Sequence, residues 1–172
     1  MDSVAIKSDV ELGGTDQKFN LLVGRDIQRE HGIDPQVILT MPLLVGTDGT
    51  EKMSKSYDNY VGLDEAPNDI FGKTLSIPDD LIYTYFELTT DISNEELTKI
   101  KQDLSTEGVN PRDIKRTLAK KLVDMYHGNG QGEEAEKAFD KVFVNKGIPD
   151  DMPEYTPEAE EKGLLDLMTE IK

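Results

Sequence analysis

The sequence contains no cysteine and only two histidines, His31 and His127. The absence of cysteine excludes disulfide bonds, thiolate metal ligands and a thiol nucleophile. With so few histidines, a histidine-rich metal site is not expected either. We therefore assign no metal-ligating residues.

The sequence also lacks long hydrophobic runs. No apolar run approaches the roughly 20 residues that span a bilayer, and the first residues do not have the pattern of a signal peptide. The 172 residues are 36% hydrophobic and 31% charged, a composition typical of a soluble globular protein of one medium or two small domains. These features predict a cytoplasmic protein without a membrane partner.

Basic residues are scarce relative to acidic ones. There are 19 lysines and arginines against 35 aspartates and glutamates, and the net charge is −16. Taken alone, this charge disfavours a nucleic-acid partner, because phosphate binding depends on clustered lysine and arginine. An acidic protein can still carry one basic face, and the acidic residues also have a simpler explanation as an aid to solubility.

The first part of the chain, residues 1–60, has an α/β pattern. A helix is predicted over residues 16–29 from the spacing of Phe19, Leu22, Val23 and Ile27, with Thr15 or Asp16 as its N-cap and Gly32 closing it. Residues 36–40, QVILT, are typical of a short buried strand. A helix between strands with glycine-rich turns indicates part of a parallel sheet.

The second part, residues 61–144, is predicted to be all-α. Ser93 and Glu96 form a capping box that opens one helix, and Asn110 with Pro111 opens a longer one that runs to about His127 and ends at Gly128. A further helix is predicted over residues 133–143. Residues 145–172 are rich in proline and acidic residues and are interpreted as a linker that ends in a short helix-like pattern.

One loop, which we call the lysine loop, concentrates basic and hydroxyl side chains within this acidic chain. It spans residues 49–56, GTEKMSKS. Lys52 and Lys55 can converge on one polyanion, with Ser54 and Ser56 as additional donors. Such a loop suits the stabilisation of a leaving pyrophosphate, although two lysines at this spacing also occur in ordinary solvated turns.

Two motifs in order along the chain resemble a known family. Residues 52–56, KMSKS, match the signature loop of class I aminoacyl-tRNA synthetases, and residues 10–28, VELGGTDQKFNLLVGRDIQ, resemble the strand–turn–helix of bacterial tyrosyl-tRNA synthetases. The resemblance is collinear from Asp2 to about Tyr155. Tryptophanyl-tRNA synthetases are the nearest alternative family, but ELGGTDQKFN is more similar to the tyrosine enzymes. The resemblance implies the second half of a Rossmann-like catalytic domain followed by a helical anticodon-binding domain.

The resemblance also implies roles for individual residues. In this family tyrosine is activated by ATP to tyrosyl-adenylate and then transferred to tRNA-Tyr. The matching ATP-binding positions are Gly13, Gly14, Asp16, Leu44, Lys52, Met53, Ser54, Lys55 and Ser56, with Lys52 and Lys55 as the catalytic pair. Asp16 corresponds to the residue that binds the ribose, but a helix cap is an alternative role for it. The backbone of Leu44 corresponds to an adenine contact, and here a core leucine is the alternative.

Asp2 and Gln17 match the positions that contact the substrate tyrosine, Asp2 at its hydroxyl group. In the helical part, Arg112, Arg116 and Lys120 form a basic stripe, bordered by Lys115 and Lys121, that is the best candidate for a tRNA footprint. A solvated helix face is an equally good explanation for any one of these side chains.

The resemblance implies that the chain is an internal piece of a longer, bacterial-type enzyme. The histidine motif that binds ATP phosphates in this family has no counterpart here, since His31 lies in an unrelated context. The tyrosine and glutamine that complete the amino-acid pocket upstream, and a basic RNA-binding domain downstream, are likewise not found. Three hypotheses follow: an inactive part of a tyrosyl-tRNA synthetase, a tRNA-binding module, and a structural fragment. For the full-length enzyme the family implies Mg²⁺ with the ATP and a homodimer.

Overall fold

The computed structural model describes residues 1–145. The interpretation of the following residues as a linker with a final helix-like pattern therefore lies outside the described residues. Within residues 1–145, no helix is both long enough and apolar enough to cross a membrane.

A two-stranded parallel sheet with one helix packed on it forms the first part. The elements are α1 (Asp2–Ile6), β1 (Val10–Gly14), a 3₁₀ turn (Thr15–Gln17), α2 (Lys18–Glu30) and β2 (Val37–Met41). The strands pair in register, with Leu12 opposite Leu39. Parallel strands need a crossover connection, which α2 supplies, so the predicted β–α–β arrangement is confirmed.

The end of α2 agrees with the sequence prediction, whereas its start does not. Gly32 adopts φ +68°, its N–H donates to the carbonyl of Arg29, and the N–H of Ile33 donates to the carbonyl of Gln28. This is the Schellman arrangement that favours glycine. The predicted cap by Thr15 or Asp16 was wrong, because the 3₁₀ turn precedes the helix and neither side chain accepts a capping hydrogen bond.

One face of the sheet is apolar and exposed. A Cβ on Gly13 would lie 3.0 Å from Leu21 of α2, so the face of Gly13 is covered. The opposite face consists of Val10, Leu12, Val37, Leu39 and Met41, which are all more than half exposed. Strand β2 is therefore exposed on one face, whereas a buried strand was predicted. In α2 the predicted apolar stripe is also exposed, with Phe19 at 75%, and Leu21 and Gln28 are the buried residues instead.

The second part is helical, as predicted. The helices are α3 (Pro67–Ser76), α4 (Ile82–Thr89), α5 (Asn94–Ser105), α6 (Pro111–His127) and α7 (Gln131–Phe139), with a 3₁₀ turn at Asp79–Leu81 and a π-helical turn at Asp140–Val144. Ser93 and Glu96 form the expected capping box of α5. Asn110 accepts a hydrogen bond from the N–H of Arg112 at the start of α6.

The hydrophobic core lies among these helices rather than beside the sheet. Phe71, Tyr85, Phe86 and Leu118 are at most 1% exposed, and Phe71 packs against Phe139 with a ring separation of 5.6 Å. Leu44 and Met53, from the first part, pack against this same core. The division at residue 60 stays a prediction, since side chains from both of its sides share one core.

Gly132 provides a test of the α6–α7 packing. A Cβ at this position would lie 2.5 Å from the Lys120 carbonyl oxygen, against backbone that cannot rotate away. We expect Gly132→Ala to destabilise the protein by about 1–3 kcal/mol. The measurement is denaturant unfolding.

Gly72 in α3 is the matched control, because a Cβ there meets nothing within 4 Å. Gly72→Ala is expected to stabilise the protein by up to about 1 kcal/mol through helix propensity alone. Equal effects of the two substitutions would contradict the close approach of α6 and α7.

Candidate functional site

The glycine turn after β1 is tightly packed. A Cβ on Gly14 would lie 2.5 Å from Asp16 Oδ1 and 2.9 Å from Leu43 Cδ2. A larger side chain at Gly13 or Gly14 would therefore require Leu21, Asp16 or Leu43 to move. The turn directs the Asp16 carboxylate away from the sheet, toward the lysine loop.

Asp16 and Lys52 bring the two sequence motifs together. The Lys52 ammonium donates to Asp16 Oδ2 at 3.2 Å, although 36 residues separate them in the chain. The Lys52 hydrogen bond holds the pKa of Asp16 below its ordinary value, with a smaller effect from Gln17. Both groups are partly exposed, so the pair is an accessible carboxylate and ammonium at one end of the sheet.

The lysine loop begins in a short hairpin. Val45 and Lys52 form an antiparallel bridge, the N–H of Gly46 donates to the Glu51 carbonyl, and the N–H of Met53 donates to the Leu44 carbonyl, both at 2.8 Å. The Asp48 carboxylate closes the turn by accepting from the N–H groups of Thr50 and Glu51.

Beyond the hairpin, the loop continues into a 3₁₀ turn at Lys55–Tyr57. Ser54 Oγ accepts from the N–H of Ser56 at 3.2 Å and lies 2.7 Å from its hydroxyl. Lys55 is exposed at the start of this turn. The two serines therefore shape the loop, and their hydroxyl groups remain accessible alongside Lys55.

Leu44 and Met53 turn their side chains away from this site. Both line a small apolar cavity of about 190 Å³ against the helical core. The position of the Leu44 side chain is therefore explained by its alternative role as a core leucine. An adenine contact through its backbone stays a prediction.

Asp2 and Gln17 line one concavity. It has a volume of about 490 Å³ and also includes Gly13, Phe19 and Asn20. The predicted tyrosine-binding residues thus share a surface hollow next to the glycine turn. Asp2 itself is exposed in the first turn of α1.

A buried amide pair fixes α1, and with it Asp2, to the sheet. The Gln28 side chain donates to the carbonyls of Ser3 and Ser8 at 3.2 and 3.1 Å and accepts from the N–H of Gln36 at 2.8 Å. Gln36 in turn bonds to Ser8 and Glu11. Gln28 was not identified from the sequence, because a polar residue inside a helix gives no signal of burial, whereas Gln36 lay within the strand predicted to be buried.

The basic stripe of α6 does not lie on a free surface. Arg116 bonds to Glu136 at 2.8 Å and to Asp140, and Lys120 pairs with Glu136 at 3.0 Å. Lys115 and Lys121 pair with Asp79 and Asp91. Arg116 and Lys120 therefore face α7 and not solvent alone, whereas Arg112 is exposed. These carboxylates compete with any phosphate for the same cations.

Within the described part of the chain, no group of three or more histidine, cysteine, aspartate or glutamate side chains could hold a metal ion. The structure instead brings one accessible carboxylate and one ammonium group into contact, and Lys55 and two hydroxyl groups follow Lys52 on the same loop. This set is suited to binding a sugar and a polyphosphate.

The comparisons with known proteins agree with this chemistry. Residues 1–144 match the family model described as tRNA synthetases class I (W and Y). The chain belongs to this synthetase family. Two curated relatives are the tyrosine–tRNA ligases of Salinibacter ruber, 54% identical over 170 residues, and of Thermotoga maritima, 49% identical over 170 residues. These alignments cover 97% and 99% of this chain but 40% and 42% of the relatives.

Solved structures show the same synthetase fold. The tyrosyl-tRNA synthetase of Archaeoglobus fulgidus, complexed with L-tyrosine, superposes with a TM-score of 0.58 at 23% identity, over 79% of this chain and 48% of that one. The enzyme from Aeropyrum pernix gives a TM-score of 0.61 at 20% identity, over 81% and 50% of the two chains. The small parallel sheet followed by helices is thus part of the class I synthetase fold.

The Asp16–Lys52 pair can be tested by titration. Lys52→Met is expected to raise the pKa of Asp16 toward its ordinary value, because the hydrogen bond that stabilises the carboxylate is lost. Since the folded-state pKa is depressed, any stabilisation by the pair is present above the unfolded pKa and is lost as pH falls through the folded pKa. The measurement is a ¹³C NMR titration of the Asp16 carboxyl carbon.

Lys55→Met is the control for this titration, and it should leave the pKa of Asp16 unchanged. An Asp16 pKa that does not respond to Lys52→Met would show that the two motifs do not meet in solution.

Proposed function

We propose that this chain supplies part of the active site of a tyrosine–tRNA ligase, which activates tyrosine with ATP and transfers it to tRNA-Tyr. The observation that carries the proposal is the 3.2 Å contact between Asp16 and Lys52, which places the glycine turn and the lysine loop in one site. The names of the curated relatives favour tyrosine over tryptophan. The chain spans about 40% of the length of those relatives, so the proposal concerns a protein that contains this segment.

The proposed first step joins the tyrosine carboxylate to the α-phosphate of ATP and releases pyrophosphate. Asp16 accepts hydrogen bonds from the ribose hydroxyls, next to glycines that leave no side chain in the way. Lys52 exchanges its bond to Asp16 for the phosphates, and Lys55 approaches them from the 3₁₀ turn, with Ser54 and Ser56 as further donors. The two ammonium groups neutralise the negative charge that develops on the leaving pyrophosphate.

The amino-acid pocket is proposed to be the concavity beside the glycine turn. Gln17 contacts tyrosine near its carboxylate, and Asp2 accepts from its hydroxyl group. In a complete pocket that excludes water from Asp2, phenylalanine would leave this acceptor unpaired, which provides discrimination. Met53 and the side chain of Leu44 hold the loop on the helical core rather than contacting nucleotide.

The helical part is proposed to bind the anticodon region of the tRNA, with Arg112 as its most accessible basic residue. Arg116 and Lys120 reach a phosphate only by giving up Glu136 and Asp140. We therefore do not propose a separate tRNA-binding module. Mg²⁺ would accompany ATP, and no step is assigned to it because the described residues form no metal site. The homodimer and the cytoplasmic location stay predictions.

The test is tyrosine-dependent ATP–pyrophosphate exchange in a full-length chimera, in which this chain replaces the matching segment of the Salinibacter ruber ligase. A lysine about 4 Å from a developing phosphate charge contributes on the order of 4 kcal/mol at an effective dielectric constant of 20. Because both lysines are exposed to solvent, we expect Lys52→Ala and Lys55→Ala each to slow exchange by about tenfold to a thousandfold.

Lys99→Ala, which removes an exposed lysine of α5, is the matched control and should leave exchange unchanged. Exchange that depends on tryptophan rather than tyrosine, or that survives both loop substitutions, would refute the proposed function.

A further inference from the structure

Asn59 lies three residues after Ser56, the last residue of the lysine loop. Its side-chain amide is buried against that loop. Its exposure is 2%, which is unusual for a polar residue that follows a surface turn. All of the hydrogen bonds that the structure gives its side chain are made to the segment between Asp48 and Ser54. Neither the family resemblance nor the sequence pattern singled it out.

The amide of Asn59 bonds to both arms of the loop. Its Nδ2 donates to Asp48 Oδ2 at 2.6 Å and to the carbonyls of Lys52 and Glu51 at 3.2 and 3.4 Å. Its Oδ1 accepts from the N–H of Ser54 at 2.8 Å. One side chain thus bonds to the backbone immediately before and immediately after Met53, and it fixes the direction in which Lys52 leaves the hairpin.

Asp48 extends this arrangement to the tip of the hairpin. Its carboxylate accepts from the N–H of Thr50, from Asn59 and from the N–H of Glu51, and these hydrogen bonds hold the pKa of Asp48 below its ordinary value. Asp48 is therefore ionised at neutral pH and bonds to Asn59 as a charged acceptor, which strengthens the bond.

The surroundings of Asn59 are shaped to admit it. A Cβ on Gly46 would overlap the Asn59 amide, so this position in the hairpin needs glycine. The backbone carbonyl of Asn59 accepts from the N–H of Thr47 at 2.9 Å. On the helical side, the Tyr85 hydroxyl donates to the Val45 carbonyl at 2.6 Å, and burial raises the pKa of Tyr85 to about 12, which keeps it a neutral donor.

We propose that Asn59 is a positioning residue, which holds Lys52 and Lys55 in the geometry that acts on the phosphates of ATP. The inference rests on the proposed function for its catalytic consequence, whereas its structural part concerns the order of the loop alone. A residue that only stabilised the fold would affect unfolding and substrate binding generally. A positioning residue affects the turnover of the phosphate step.

Limited trypsin digestion of the chain tests the structural part without any enzyme assay. Trypsin cleaves after lysine, so Lys52 and Lys55 report directly on loop order. We expect Asn59→Ala to accelerate cleavage after both lysines by about tenfold or more, in proportion to the larger population of open loop. Cleavage in α5 and α6 should not change.

Asn129→Ala is the matched control, because Asn129 is exposed in the turn between α6 and α7. It should leave cleavage of the loop unchanged. Equal cleavage rates in the wild-type chain and Asn59→Ala would overturn the proposal.

A paired exchange of donor and acceptor separates positioning from a general loss of packing. Asn59→Asp keeps the acceptor for Ser54 but places a carboxylate against that of Asp48, and we expect it to loosen the loop at least as much as Asn59→Ala. Adding Asp48→Asn restores a donor–acceptor pair between the two side chains, although not the bonds to the Glu51 and Lys52 carbonyls. The double variant should therefore recover part of the protection from trypsin, and no recovery would contradict the hydrogen-bond arrangement.

Exchange kinetics in the chimera test the catalytic part. We expect Asn59→Ala to lower kcat by about tenfold to a hundredfold, as a misplacement of about 1 Å does, with the KM for tyrosine unchanged. An unchanged kcat beside faster loop cleavage would overturn the positioning role. If the wild-type chimera shows no exchange, the proposed function fails, and the digestion result alone decides whether Asn59 orders the loop.

Discussion

The buried amide of Asn59 requires hydrogen-bond partners for two donors and one acceptor, since an unsatisfied buried polar group costs roughly 1–3 kcal/mol. The chain between Asp48 and Ser54 meets this requirement by folding back on itself around Asn59. This arrangement of the chain fixes the direction in which Lys52 leaves the hairpin. The Lys52 side chain then contacts Asp16 at the end of the sheet. The relation between the two sequence motifs therefore depends on a residue that belongs to neither of them.

The helical core provides the rigid surface on which this loop rests. Leu44 and Met53 insert into its edge, and Tyr85 reaches from the core to the Val45 carbonyl. Apolar contacts and the Tyr85 hydroxyl thus hold the loop against the helical core, while its basic side chains are exposed. Such an arrangement permits exposed lysines to be held in place, because the order comes from the backbone beneath them rather than from contacts of the lysines themselves.

Most cations of α6 are paired with carboxylates of other segments. In α6, the cations Arg116, Lys120 and Lys121 each face a carboxylate of another segment. For a protein with a net charge of −16, these pairs leave little positive potential along the helix. In the lysine loop, Lys52 has one partner, Asp16, that a polyanion can replace, and Lys55 is exposed three residues further on.

The local elements could be predicted from the sequence because their signals are local. The capping box at Ser93, the Asn110–Pro111 start of α6 and the glycine that ends α2 each depend on a few neighbouring residues. The cap at Asp16 was wrong because a 3₁₀ turn precedes α2 and Gln17 takes the N-cap position. Burial was mispredicted for β2, and the apolar stripe of α2 is largely exposed, since periodicity shows which face is apolar but not whether anything covers it.

In the candidate site, too, local features could be predicted from the sequence, whereas contacts between distant residues could not. The sequence motifs identified Asp16 and Lys52, but their contact required the fold. Asn59 and Gln28 were not predicted, and Gln36 was predicted only as part of a buried strand, because a polar residue type gives no sequence signal of its burial or its hydrogen-bond partners. The basic stripe of α6 was visible in the sequence, whereas the acidic residues of α7 that face it depend on how the two helices pack.

The most direct test is a structure of the full-length chimera with tyrosine and a non-hydrolysable ATP analogue, in which the distance from the Asp16 carboxylate to the ribose hydroxyls is measured. We expect a hydrogen bond at about 2.5–3.0 Å, with Lys52 no longer bonded to Asp16. A ribose bound elsewhere, with the Asp16–Lys52 pair intact, would contradict the assignment of this site.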